Sequence, residues 1–362
     1  MEFGVGLWGM QSTRNAPWSH QTLYRRLAED AQVAEEVGFE SLWLTEHRFW
    51  YDGYCPSLIT AGGYIAGATQ HLRIGTGCLL LPQHDPLRVA QGVNTLDQIS
   101  HGRVDFGVAL GYRDIEFDSV GISRKKRPSR MENALDVLQA ASTGSTFSDK
   151  LFDRVRRSKC TDFAPDEDSD NLQILPTPVQ QPLPLWVAAV SDNAVKRAAR
   201  RGLNILLSDA HDDRRAGELV ELYHRTAQEE GIDSSNVRFG ILRYVWVDES
   251  AAKAEEITTP RLRGFLLEQL GGWRYLSDAD GNPLGFDQPE ALKKVAEGVV
   301  RNNAAIGTPD TVIRRMKNLE SVGVNFCLAR THMVSESPED RHRAMELLAK
   351  EVAPALSTAG RP

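Results

Sequence analysis

Thr45, Glu46, His47 and Arg48 stand together at the end of an apolar run, Leu42-Trp43-Leu44. An imidazole exchanges protons near neutral pH, a carboxylate accepts or holds one, and a guanidinium stays charged. Such a set can do general acid–base work on a molecule entering a cleft, and His47 is its first candidate. Glu46 and His47 are adjacent, with no partner at metal-ligand spacing on the same element, so the motif does not point to a metal. Neither a phosphate P-loop nor a G-x-S-x-G elbow is present, and Gly4, Gly6 and Gly9 miss the G-x-G-x-x-G spacing of a dinucleotide turn. Cys55, Cys78, Cys160 and Cys327 are scattered, with no C-x-x-C pair, which predicts reduced thiols rather than a disulfide framework or zinc site. Cys78 sits in an apolar run without an adjacent base, a poor setting for a nucleophile.

The elements that must position these groups alternate. Short apolar runs at 3–8, 41–44, 72–81, 104–110, 185–189, 204–207, 237–247 and 324–329 read as strands. Helical periods fall at 20–37, 86–99, 129–141, 192–201, after 207 to about 230, at 309–321 and at 338–356. Strands without polar alternation are those of a parallel sheet covered on both faces. The pattern predicts an α/β fold, a (β/α)8 TIM barrel forming a single domain over 1–362. A barrel keeps its chemistry at the carboxyl ends of its strands, where residues 45–48 fall. Two segments interrupt the repeat: 142–173, polar and acidic, and 271–303, rich in turn formers. Loops of such length are lids or surface insertions, and the second is the lid candidate.

A net charge of −7 gives no basic face for nucleic acid. Arg124-Lys125-Lys126-Arg127, before Pro128, reads as a solvated loop or an anion site. No run reaches the roughly 18 apolar residues of a membrane span, and the N-terminus lacks a signal h-region. The expectation is a cytoplasmic protein.

Several linked segments carry a resemblance. They are Trp43–Phe49 (WLTEHRF), 74–82 (IGTGCLLLP) with His84, Pro86 and Arg88, 96–117 (LDQISHGRVDFGVALGYRDIEF), 184–202 (PLWVAAVSDNAVKRAARRG) and Gly307-Thr308-Pro309. In this order they resemble the bacterial-luciferase-like family of flavin-dependent monooxygenases. The resemblance implies an enzyme that takes reduced FMN (FMNH2) as a diffusible substrate. It would activate dioxygen as a flavin C4a-peroxide and oxygenate an organic small molecule. It also implies a two-component system with a separate NAD(P)H:flavin reductase, and a homodimer. The alternative on the same barrel is an F420-dependent oxidoreductase that transfers hydride.

The resemblance assigns roles residue by residue. His47 matches the active-site histidine, with Glu46 as a supporting hydrogen-bond or ion-pair partner. Arg48 stands where luciferase has a second histidine, which argues against light emission from an aldehyde. Gly77-Cys78 falls where the family has a non-prolyl cis peptide beneath the flavin ring. Ser191 matches a serine on the FMN phosphate, with Val190 beside it; read on its own, S-D-N-A is also a helix start, and such starts cap or bind anions. Ala109 replaces a cysteine near the flavin, and Tyr112 is expected near the ring. Leu110 replaces an arginine that pairs with the phosphate, so Arg113 or a residue of 124–130 must take that place, or FMN binds weakly. Glu116 is expected to order its loop. Trp8, Trp50 and Tyr51 either wall a substrate pocket or pack the rim.

Overall fold

The computed structural model describes residues 1–8, 18–50, 54–147, 172–274, 284–332 and 336–356. Eleven strands follow in chain order: β1 Glu2–Trp8, β2 Ser41–Leu44, β3 Arg73–Thr76, β4 Val104–Val108, β5 Thr146–Phe147, β6 Leu172–Gln173, β7 Leu185–Ala189, β8 Asn204–Leu207, β9 Phe239–Val247, β10 Ala305–Gly307 and β11 Phe326–Arg330. Strands β11, β1, β2, β3, β4, β7, β8 and β9 pair in parallel in that order, and β9 returns to β11, closing an eight-stranded barrel. β10 adds a ninth strand beside the far end of β9, while β5 and β6 form a separate antiparallel pair. Val5, Leu42, Ile74 and Val104 lie side by side across four strands and are fully buried beneath the helices.

The barrel interior is aromatic. Trp43, Trp186 and Phe326 come from β2, β7 and β11, which are not neighbours, so their contact crosses the barrel. Trp43 meets Trp186 edge-on at 5.2 Å between centroids, and Phe326 lies 5.1 Å from Trp186. Each indole is satisfied: Trp43 Nε1 donates to Ser41 Oγ (2.9 Å) and Trp186 Nε1 to Asp105 Oδ1 (3.0 Å). Gly75 makes room for this core, since a Cβ there would sit 2.1 Å from the Trp43 ring. The plug fills the barrel, so any cavity must open above it, at the strand tips.

The helices His20–Val37 and Pro86–Ile99 match the sequence reading, the first ended by Gly38 at φ 95°. Other expectations are corrected. The strand expected over 72–81 ends at Thr76, because the chain then leaves the ladder. Gly77 N–H reaches Leu44 O, and Leu79 bridges to Val108. Leu79, Leu80 and Leu81 are nonetheless buried, so the apolar run recorded burial rather than strand pairing. The helix Leu58–Ala68 was missed because LITAGGYIAGA is apolar all round and carries three glycines. The helix Ala251–Trp273, with Pro260 inside it, was missed as well. The stretch 271–303 is not a plain loop: it holds the end of that helix, the helix Pro289–Gly298 and a π-helical turn at Val299–Asn303. Most of the other insertion, 148–171, lies outside the described residues. No described helix is long and apolar enough to cross a membrane.

Candidate active site

β2 delivers Thr45, Glu46 and His47 to the open end of the barrel, where all three are buried. His47 Nδ1 lies 3.0 Å from Glu116 Oε1, a carboxylate with no exposed surface. The same oxygen accepts from the Arg48 N–H (3.0 Å) and from Arg113 Nη1 (3.1 Å). Burial alone would raise the Glu116 carboxyl, but the bonds from His47, the Arg48 amide and Arg113 outweigh it and hold it below the usual range. An ionised Glu116 can only accept, so His47 donates to it from Nδ1, which leaves Nε2 as the ring nitrogen turned toward Tyr112. Tyr112 Oη lies 3.5 Å from that Nε2. Burial first, then Tyr54 and Glu116, keep the Tyr112 hydroxyl well above its ordinary value, so it remains a donor. Trp273 covers the imidazole at 4.2 Å between centroids, and Tyr54 meets it edge-on at 5.1 Å.

A cavity of about 340 Å³ opens on Thr45, Glu46, His47 and Tyr112. Its floor includes the Gly77–Cys78 peptide, which is cis. Burial pushes the Cys78 thiol up to about 12, so it stays protonated and is no nucleophile. Ala109, Leu110 and Tyr112 contribute from beyond β4. Val190, Ser191 and Ala194 contribute from the turn after β7 and the first turn of the helix Asp192–Ala199. Ser191 is the N-cap of that helix, yet its hydroxyl makes no capping bond among the described residues. Asp192, whose charge would repel an anion there, is paired with Arg215. Arg127 lines the same cavity and spends one donor on Gly111 O (2.8 Å). Burial, with Arg124 nearby, holds its guanidinium below the usual value, a cost that an anionic ligand would offset.

Residues 1–325 match the family model described as luciferase-like monooxygenase. The chain belongs to this family. It is an enzyme, an oxidoreductase, and the luciferase-like barrel predicted from its sequence is the one it folds into. It is 30% identical over 259 residues to the alkanal monooxygenase alpha chain of Photorhabdus luminescens, covering 71% of this chain and 67% of that one. It is 24% identical over 349 residues to the oxygenase component of the flavin-dependent trigonelline monooxygenase of Acinetobacter baylyi, covering 94% and 91%. Two solved structures share the fold. The oxygenating constituent of 3,6-diketocamphane monooxygenase from Pseudomonas putida, in complex with FMN, has a TM-score of 0.75 at 19% identity over 100% of both chains. The F420-dependent tetrahydromethanopterin reductase of Methanopyrus kandleri has a TM-score of 0.68 at 18% identity, over 98% and 99%.

In this luciferase-like barrel, Glu46, His47, Gly77, Cys78, Ala109, Leu110, Tyr112, Val190 and Ser191 all line the one cavity. Arg48 does not; it turns to Gln83 Oε1 (3.1 Å) and Glu46 Oε1 (3.4 Å). Arg113, offered as a substitute for the absent phosphate arginine, is held instead by Glu116 and by Arg48 O (2.6 Å). Arg127 is the member of the basic run that reaches the cavity. Trp50 is half-buried and meets Trp273 edge-on; the Trp8 side chain and Tyr51 lie outside the described residues. Sequence reasoning missed Trp273, Tyr54 and the pairing of Glu116 with His47. A signal for Glu116 was present in GYRDIEF, but nothing local told which histidine it would meet.

Proposed function

We propose that this luciferase-like enzyme is the FMNH2-dependent oxygenase of a two-component system. It would use dioxygen as co-substrate, oxygenate an organic small molecule and receive its flavin from a separate NAD(P)H:flavin reductase. The observation that carries the reading is the convergence of His47, Gly77, Cys78, Ser191 and Arg127 on one cavity. The donor set fits FMN: an apolar floor for a planar ring, and a guanidinium beside a helix start for a phosphate dianion. Arg127 supplies the charge that Leu110 cannot. Cytoplasmic location and a homodimer belong to the same reading.

When bound, reduced flavin supplies the electrons that activate dioxygen. The chain does the rest. Ser191 and Arg127 hold the phosphate, and the Cys78 and Ala109 side seats the ring. His47 Nε2 accepts a proton from, or returns one to, the oxygen being transferred, while Glu116 fixes the tautomer and charge of the imidazole. Tyr112 offers a hydroxyl donor beside it. Trp273 and Tyr54 keep water from the imidazole, which favours transfer of oxygen to the substrate over loss as hydrogen peroxide.

The test is anaerobic titration of the protein with photoreduced FMN, followed by mixing with 18O-labelled dioxygen and a substrate panel. Saturable binding and one labelled oxygen atom in the product support the reading. Leu110 favours a second reading, hydride transfer from F420. That reading predicts tight binding of reduced F420, none of reduced FMN, and substrate reduction without oxygen.

A further inference from the structure

We infer that Glu46 and His84 form a proton relay that connects the cavity to solvent; the inference rests on the monooxygenase reading above. Glu46 lines the cavity and is 1% exposed. Its Oε1 lies 3.1 Å from His84 Nε2, on a ring whose side chain is 25% exposed. One end of this pair therefore faces the cavity and the other faces water. The His47–Glu116 pair differs, because Glu116 is wholly buried and Trp273 covers the imidazole.

The surroundings suit a proton that changes owner. Arg48 Nη2 lies 3.4 Å from Glu46 Oε1 and 3.3 Å from His84 Nε2. While Glu46 is ionised, His84 Nε2 must donate to it, and Arg48 also donates to the carboxylate. When Glu46 holds the proton, Nε2 becomes a lone pair that accepts from Glu46 or Arg48. Both states are satisfied without moving a side chain. Arg48 is anchored by Gln83 Oε1, and the His84 carbonyl by Arg130 Nη2 (3.1 Å). Among the described residues, the charged and titratable groups facing the pair are Arg48, Arg130 and Cys55, with Asp85 next along the chain.

The stoichiometry gives such a path a proton to carry when the reduced flavin enters as its anion. One atom of dioxygen enters the substrate and the other leaves as water. Two electrons and one proton come from the reduced flavin anion, and the second proton of the water comes from solution. His84 takes that proton at the surface and passes it to Glu46, which delivers it inside; His84 acts only through Glu46.

Two measurements test the relay. In the flavin-free full-length protein, 15N NMR reads the hydrogen bond at His84 Nε2. Glu46→Gln is expected to shift the Nε2 resonance and to leave Nδ1 close to its wild-type position; superimposable spectra would overturn the proposal. In turnover with reduced FMN and oxygen, His84→Gln is expected to lose product increasingly as pH rises, and free imidazole to restore His84→Ala. A pH profile unchanged from wild type, or no rescue by imidazole, would also overturn it. If the NMR coupling is present but reduced FMN supports no oxygenation, the monooxygenase reading fails and the linked pair stands.

Discussion

His47 gains its chemical character from Glu116. Without that carboxylate the ring is free to turn and to change tautomer, and Nδ1 is no longer the defined donor. Glu116→Gln keeps the size but can offer its N–H to His47, forcing the wrong tautomer. Oxygenation by Glu116→Gln is expected to fall on the order of 100-fold, as general acid–base losses do. His47→Asn should cost a similar amount, and the double variant little more, because the two act as one unit. Product formed per reduced FMN consumed checks this, with FMN binding retained. Arg127 makes a separate prediction. A hydrogen-bonded charge contributes about 1.5–3 kcal/mol, so Arg127→Ala should weaken FMN binding roughly 10- to 100-fold. Riboflavin, which lacks the phosphate, should bind wild type and variant alike, and anaerobic titration separates the two.

At the scale of elements, the helix Ala251–Trp273 carries its last residue onto the imidazole. Trp273 is buried, and its Nε1 has no partner among the described residues. The ring is held by aromatic contacts with His47, Tyr54 and Trp50 instead. Trp273→Phe is expected to keep the stack and most of the product yield. Trp273→Ala opens the face of the imidazole to water and should raise hydrogen peroxide released per flavin reoxidised. Equal peroxide from the alanine variant and wild type would remove Trp273 from the site.

Across the whole molecule, a buried ion network joins the helices His20–Val37 and Pro338–Leu347. Arg341, from the helix Pro338–Leu347, donates to Asp30 (2.8 Å) on the helix His20–Val37 and to Glu336 (2.8 Å). His332 Nδ1 lies 2.6 Å from Glu336. Burial opposes ionisation of Glu336, but His332 and Arg341 prevail and lower its carboxyl from 4.5 to about 2. The folded value is depressed, so the stabilisation is fully present above the ordinary carboxyl value and is lost as pH falls toward 2. It amounts to something on the order of 3 kcal/mol. Urea unfolding of the flavin-free protein between pH 6 and about 2 should show stability falling over that window. Glu336→Gln should remove this part of the acid dependence and lower stability at neutral pH, since it leaves Arg341 and His332 short of a buried partner.

Local patterns in the chain were enough for the strand–helix alternation, and hence for the barrel. Short apolar runs and helical periods are set by which faces are buried, and that is written residue by residue. The polar ends of those runs were legible too: Glu46, His47, Leu110 and Ser191 stand at strand tips, and a closed parallel barrel brings its tips together. What the sequence could not show was partnership. Glu116, Arg127, His84 and Trp273 reach the site from four separate elements, and their roles depend on distances of a few ångströms that exist only after closure. Arg113 and the 124–130 run looked equally available in the sequence, yet closure committed Arg113 to Glu116 and left Arg127 at the cavity. Hydrogen bonds and ion pairs are short-ranged and directional, so only the tertiary structure decides among groups of like chemistry.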